Sequence, residues 1–158
     1  MVKFSLNKSF VIAEIGINHM GSLLKAKKLI DSAVRAGAHA VKFQTYKTEK
    51  RVNFSKDNNI FKILKKCELS NLDFIKLKKY SDNKKIIFFS TPFDTSSALF
   101  LNEIGVKIFK IASFDVGNTK FLKEIAKFNK IFILSTGMAS EKEIKKAVTI
   151  FKNKKREL

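Results

Sequence analysis

The chain has 158 residues, 45% of them hydrophobic, with 16 phenylalanines, no tryptophan and one cysteine, enough for one globular domain and incompatible with an internal disulfide framework. No run of about 18 uncharged apolar residues occurs, and the opening MVKFSLNKSF is too short and polar for a signal peptide, so a soluble, cytoplasmic protein with no membrane partner is expected. The formal charge of +18 would suit a nucleic-acid surface, but the lysines are spread over every amphipathic stretch (Lys25, Lys27, Lys28; Lys76, Lys78, Lys79; Lys145, Lys146), which favours solvated helix faces over a nucleic-acid partner.

Phe10–Gly21, FVIAEIGINHMG, reads as a first strand and loop in which Glu14 is the one charge. A lone acid at the end of a buried strand either does chemistry or is costly. A helix follows from Gly21-Ser22, with apolar positions Ala26, Leu29, Ile30, Ala33 and Val34 at i, i+3, i+4, i+7 spacing, ended by Gly37. His39–Gln44 predicts a second strand, with Lys42 and Gln44 on one face and Val41 and Phe43 on the other. Thr45–Asn59 is polar and reads as a long loop, and Ile60–Cys67 as a short helix in which Cys67 is a packed thiol. Ser70, with Asp73 three residues on, caps a helix whose buried stripe is Phe74, Leu77 and Tyr80. Ile86–Ser90 is a third strand closed by Thr91-Pro92-Phe93-Asp94. There follow a helix over Ser96–Ile104, a fourth strand over Lys107–Ala112, a loop over Ser113–Asn118, a helix near Thr119–Phe128 and a fifth strand over Ile131–Ser135. A last helix starts at Ser140 with Glu143 completing a capping box, and the charged tail Lys152–Leu158 is expected to fray.

This alternation predicts an α/β fold of parallel βα units. Gly37-Ala38-His39-Ala40-Val41-Lys42 and Gly105-Val106-Lys107-Ile108-Phe109-Lys110 each place a lysine five residues after a helix-ending glycine. The large apolar neighbours of each lysine then face the helices while the lysine faces the other way. In an α/β barrel the inward-facing residues at the carboxyl ends of the strands line the active site, so Glu14, Lys42, Gln44, Thr91, Lys110, Ser113, Ser135 and Thr136 converge on one mouth. Two such lysines among hydroxyls suit a bound phosphate or carboxylate. The competing reading is that each pairs with Glu14, Asp94 or Asp115 for stability alone.

The segments AEIGINHMG (Ala13–Gly21), AVKFQT (Ala40–Thr45), STPFD (Ser90–Asp94), KIAS (Lys110–Ser113) and LSTGM (Leu134–Met138) resemble the successive strand-end motifs of the N-acetylneuraminate (sialic acid) synthase family, with its legionaminic and pseudaminic acid relatives. The resemblance implies a TIM-type (β/α) barrel. It also implies condensation of phosphoenolpyruvate with an N-acetylhexosamine such as N-acetylmannosamine, giving a nine-carbon 2-keto sugar acid and phosphate in surface carbohydrate biosynthesis. Lys42, Thr91, Lys110, Ser113 and Ser135 match the positions that hold phosphoenolpyruvate, and Glu14 and Asp115 match acidic positions that contact the amino sugar or assist proton transfer. Gln44 joins the substrate-binding set through its inward position. Phe114 stands where the family usually has glycine, which is expected to crowd the sugar side.

Closing a barrel takes eight strands, and about five βα units are legible. The expectation is a single N-terminal portion of the barrel over residues 1–158, with strands six to eight and the C-terminal antifreeze-like domain absent. In the family those parts supply two histidines for a divalent metal (Mn or Mg) and an arginine from a partner subunit. The metal's ligands are then expected to be missing, because His39 starts its strand and His19 lies beyond the end of its own, about 15 Å or more apart. His39 is assigned to packing or the surface and His19 to shaping the first loop. The chain is expected to be a fragment, a truncated gene product or half of a split enzyme, inactive alone, with a homodimer of the complete protein or a complementary barrel half as partner. The alternative is a non-catalytic remnant that at most binds an anion.

Overall fold

Five short apolar runs form one parallel sheet, and the amphipathic stretches between them form the helices that cover one of its faces. The structure is a computed structural model and describes residues 9–52 and 58–152. In chain order the elements are β1 (Ile12–Gly16), α1 (Leu23–Arg35), β2 (Ala40–Thr45), α2 (Thr48–Arg51), α3 (Asn58–Cys67), α4 (Asn71–Asn83), β3 (Ile87–Pro92), α5 (Thr95–Glu103), β4 (Ile108–Ile111), a 3-10 turn (Ser113–Asp115), α6 (Thr119–Ile125), β5 (Ile131–Leu134) and α7 (Glu141–Lys152). Most of the expected frayed tail lies outside the described residues.

The strands run in the order β1-β2-β3-β4-β5, each parallel to the next. A doubly wound sheet reverses its order at a switch point, whereas a barrel winds on in sequence order, so this sheet is wound as a TIM-type barrel is. The pleat sends Val41, Phe43, Phe88, Phe109 and Ile111 into a core with Ala26, Ile30, Phe74, Leu77, Leu101 and Leu122. Phe43 is the centre of this packing, stacked on Phe88 at 5.2 Å and meeting Phe74 edge-on at 6.5 Å. Lys42, Gln44, Thr91 and Lys110 therefore point to the opposite face.

The helix signals hold at the caps. Ser22, Ser70, Asp94 and Asn118 each accept a backbone N–H from the first turn of α1, α4, α5 and α6, and Ser70 with Asp73 forms the expected capping box. Gly37 and Gly105 end α1 and α5 with φ of +75° and +77°, the left-handed backbone that glycine adopts without penalty.

Four expectations are corrected. The long loop over Thr45–Asn59 contains α2, and Asn58 already belongs to α3. The cause is Glu68, whose Oε2 accepts from both the Thr48 amide (3.0 Å) and the Thr48 hydroxyl (2.7 Å) while Oε1 accepts from Lys47 Nζ (3.3 Å). Residues 53–57 of that stretch lie outside the described residues. β3 continues through Thr91 and Pro92, which pair with Gln44 and Thr45; proline is tolerated there because the strand ends with it. α6 stops at Ile125, and Phe128 closes a turn by donating its amide to the Ile125 carbonyl at 3.0 Å. Val34, placed on the buried stripe of α1 by its spacing, is exposed near the end of the helix.

Candidate active site

The open face of the sheet carries two clusters. The inner one is built on β1, β2, β3, β4 and the end of β5. Glu14 and Lys42 are register partners, and Lys42 Nζ lies 2.8 Å from Glu14 Oε2 and donates to Thr91 Oγ1 at 3.2 Å. The Lys42 side chain is only 8% exposed, whereas Glu14, expected at the end of a buried strand, is 58% exposed. Phe89, the register partner of Lys42 on β3, is fully buried. Lys110 donates to Ser135 Oγ. Burial, then the charge of Lys42, pull the Lys110 pKa below its ordinary value, with Glu14 opposing. Lys110 thus feels the charge of Lys42, and Glu14, paired with Lys42, opposes it.

The outer cluster surrounds Arg51, the last residue of α2. Its guanidinium lies 3.7 Å from the Phe93 ring centre and 4.8 Å from that of Tyr46, and Nη1 donates to Gln44 Oε1 at 3.1 Å. Phe93 in turn stacks on Phe114 at 5.7 Å, and Phe114 is 54% exposed. Asp115 faces Arg51. Burial pushes its carboxyl up to about 6, only partly offset by the Arg51 charge, and its Oδ2 is buried without a hydrogen bond. Gly16 joins the clusters. With φ of +55° it has no side chain to separate them, and a Cβ there would stand 3.3 Å from Glu14 Oε1 and 3.6 Å from Gln44 Nε2.

Of the residues expected at the mouth, Glu14, Lys42, Gln44, Thr91, Lys110 and Ser135 are brought together. Ser113 opens the 3-10 turn just past β4 and Thr136 is exposed past β5; neither side chain bonds to the cluster among the described residues. Asp94 pairs with no strand-end lysine, because it caps α5 through Ser97 N (2.8 Å) and Ser97 Oγ (2.6 Å). Asp115 pairs with neither lysine; Arg51 is its charged neighbour. Arg51 was missed because it falls in a stretch read as polar loop. A signal was available, since only three of the 32 basic residues are arginine, and arginine is the cation that stacks on aromatic rings.

Neither histidine enters the mouth. His19 is 1% exposed behind it, its Nδ1 accepting the Gly21 amide at 3.1 Å, and His39 Nδ1 accepts the Val11 amide at 3.0 Å at the start of β2. Among the described residues no group of three His, Cys, Asp or Glu side chains is placed to hold a metal ion.

Residues 29–158 match the NeuB family. The chain belongs to that family. It is 40% identical over 157 residues to the N,N'-diacetyllegionaminic acid synthase of Campylobacter jejuni subsp. jejuni serotype O:2, covering 92% of this chain and 47% of the relative. It is 31% identical to the N-acetylneuraminate-9-phosphate synthase of Homo sapiens, covering 90% of this chain and 43% of that one. Among solved structures, the N-acetylneuraminic acid synthetase of Leptospira borgpetersenii serovar Hardjo-bovis, in complex with citrate, superposes with a TM-score of 0.88 at 46% identity, covering 92% of this chain and 50% of that chain. Relatives named as legionaminic acid, pseudaminic acid and N-acetylneuraminate-9-phosphate synthases are among those it matches, and this chain spans about half their length. Its sheet is the TIM-type barrel architecture of that part of the family. Among the described residues no helix is long and apolar enough to cross a membrane.

Proposed function

We propose that this chain forms the phosphoenolpyruvate side, and part of the sugar side, of a NeuB-type synthase that joins phosphoenolpyruvate to an N-acetylhexosamine such as N-acetylmannosamine. The observation that carries the reading is the inner cluster: Lys42 and Lys110 at matching strand ends, electrostatically coupled, with Thr91 and Ser135 as their hydroxyl partners. Two cations and two hydroxyls on one face neutralise and orient the carboxylate and phosphate of a small trianion, and Ser113, which opens the turn just past β4, is proposed to add a third hydroxyl. Glu14, 2.8 Å from Lys42 Nζ, holds that side chain in place until the anion arrives.

In the proposed reaction C3 of the enol ether attacks the aldehyde carbon of the sugar, forming the C–C bond. The aldehyde oxygen takes a proton from an acid at the mouth, for which Asp115 and Glu14 are the candidates. Water adds at C2 and gives up a proton, and loss of inorganic phosphate leaves the 2-keto sugar acid. A carboxyl with a pKa of about 6, as at Asp115, is suited to both giving and taking protons near neutral pH.

The proposal includes a divalent metal, Mn or Mg, for the closed barrel. The described residues do not fit it, so no step is assigned to it. The homodimer or complementary half that would complete the rim, and strands six to eight, belong to the proposal in the same way. A reducing, cytoplasmic setting fits the one buried cysteine, Cys67. The test is phosphate release from phosphoenolpyruvate, dependent on N-acetylmannosamine and Mn²⁺, by this chain combined with a C-terminal half of the barrel. Absence of release, together with absence of phosphoenolpyruvate binding to this chain, would overturn the reading.

A further inference from the structure

Arg51 is a half-buried guanidinium held between aromatic rings, and among the described residues no carboxylate lies within ion-pair distance of it. Among the described residues its one hydrogen-bond partner is the neutral Gln44 amide. Across from it Asp115 keeps a buried oxygen without a donor. The mouth therefore holds a planar donor fork with donors to spare beyond the Gln44 bond and, near it, an acceptor without a donor, beside the exposed ring of Phe114. The charges that act on Lys110 are those of Lys42 and Glu14, whereas the charged neighbour that acts on Arg51 is Asp115. Arg51 thus stands apart from the two-lysine anion cluster, on the far side of Gln44.

Charge balance narrows the ligand. With Asp115 ionised, the outer cluster sums to zero, so it neither attracts a second phosphate nor repels a neutral molecule. An aromatic face, a guanidinium fork and a carboxyl are together the groups that recognise a ring bearing several oxygens and an acylamido carbonyl. Resting on the function proposed above, we infer that Arg51 is the acceptor-reading residue of this site, its fork donating to oxygens of an uncharged N-acetylhexosamine seated against Phe114 and opposite Asp115. The residue sets acceptor choice and leaves the phosphoenolpyruvate cluster unchanged. A sugar phosphate placed there would meet Asp115 and is disfavoured.

The experiment is isothermal titration calorimetry on the full chain as wild type, Arg51→Leu and Arg51→Lys. Each is titrated with phosphoenolpyruvate alone, then, when saturated with it, with N-acetylmannosamine or its 6-phosphate. Arg51→Leu is expected to weaken N-acetylmannosamine binding at least tenfold while phosphoenolpyruvate affinity stays within twofold. Arg51→Lys, which keeps the charge and loses the fork, is expected to fall between. Wild type is expected to favour the unphosphorylated sugar. The inference is overturned if Arg51→Leu weakens phosphoenolpyruvate as much as the sugar, if it leaves both unchanged, or if the wild-type chain binds phosphoenolpyruvate but not the sugar. A wild-type chain that binds neither overturns the functional reading and this inference with it. Circular dichroism checks that each variant folds, and if Arg51→Leu does not, Arg51→Lys carries the test.

Discussion

Glu14 and Lys42 face each other as register partners across β1 and β2, and their side chains close a 2.8 Å ion pair that also engages Thr91. The Lys42 side chain, only 8% exposed, is thereby oriented before any substrate arrives. Lys42→Met is expected to weaken phosphoenolpyruvate binding to this chain at least tenfold, about 1.4 kcal/mol, and Lys110→Met to do the same. Calorimetric titration checks both; two unchanged affinities would return the lysines to a structural role.

Asp115 gives a pH dependence with a definite sign. Its folded-state pKa, about 6, lies above the ordinary 3.8, so between those values the folded state binds more protons than the unfolded one, and stability falls as pH rises through that window. Asp115→Asn should abolish this fall. The variant is expected to match wild type at pH 3.5 and to exceed it at pH 8 by on the order of 1 kcal/mol, allowing for solvent screening. Urea unfolding at the two pH values decides it, and a variant less stable than wild type at pH 8 would contradict the reading of a half-buried carboxyl with one unsatisfied oxygen.

The Glu68 carboxylate fixes α2 by accepting three hydrogen bonds from Lys47 and Thr48. Glu68→Ala leaves the fully buried Thr48 hydroxyl and its amide without their acceptor, an expected loss of about 1–3 kcal/mol. Hydrogen exchange at the Thr48 amide should accelerate more than at amides of β2, which separates local release of α2 from general loosening.

Two glycines with left-handed backbone separate conformational strain from collision. Gly37 has φ +75° and nothing within 4 Å of where a Cβ would stand, so Gly37→Ala is expected to cost only the backbone term, about 1 kcal/mol. Gly21 has φ +77° and a Cβ there would lie 2.1 Å from the Lys66 carbonyl oxygen, so α3 must move away from the first loop. Gly21→Ala is expected to cost about 3 kcal/mol or more by thermal or urea unfolding, and equal costs for the two variants would refute the distinction.

Much of this was readable from residue order because the signals were local. The Ser70–Asp73 box, the glycine ends of α1 and α5, and the two-residue pleat that turns Lys42 away from Val41 and Phe43 need no knowledge of the rest of the chain. The α2 turn was not readable, because its anchor, Glu68, is distant in sequence and a carboxylate in a charged stretch announces nothing. The same holds for Arg51: its partners Gln44, Phe93 and Asp115 come from three strand ends, and only the closed packing of those ends makes a guanidinium in a polar stretch part of the site. Glu14 was placed correctly but expected buried; its exposure follows from lying on the sheet face that the helices do not cover.

The unbroken strand order also shapes how the chain acquires its structure. Each strand docks on the one synthesised just before it, so no pairing waits for a distant segment to arrive, and β2 with β3 spans the longest separation because α2, α3 and α4 lie between them. Loop closure is then met in a series of modest steps. A chain emerging from the ribosome can lay down the Glu14–Lys42 pair, then the Thr91 contact, then Lys110 with Ser135, assembling the anion cluster in the order in which its residues are made.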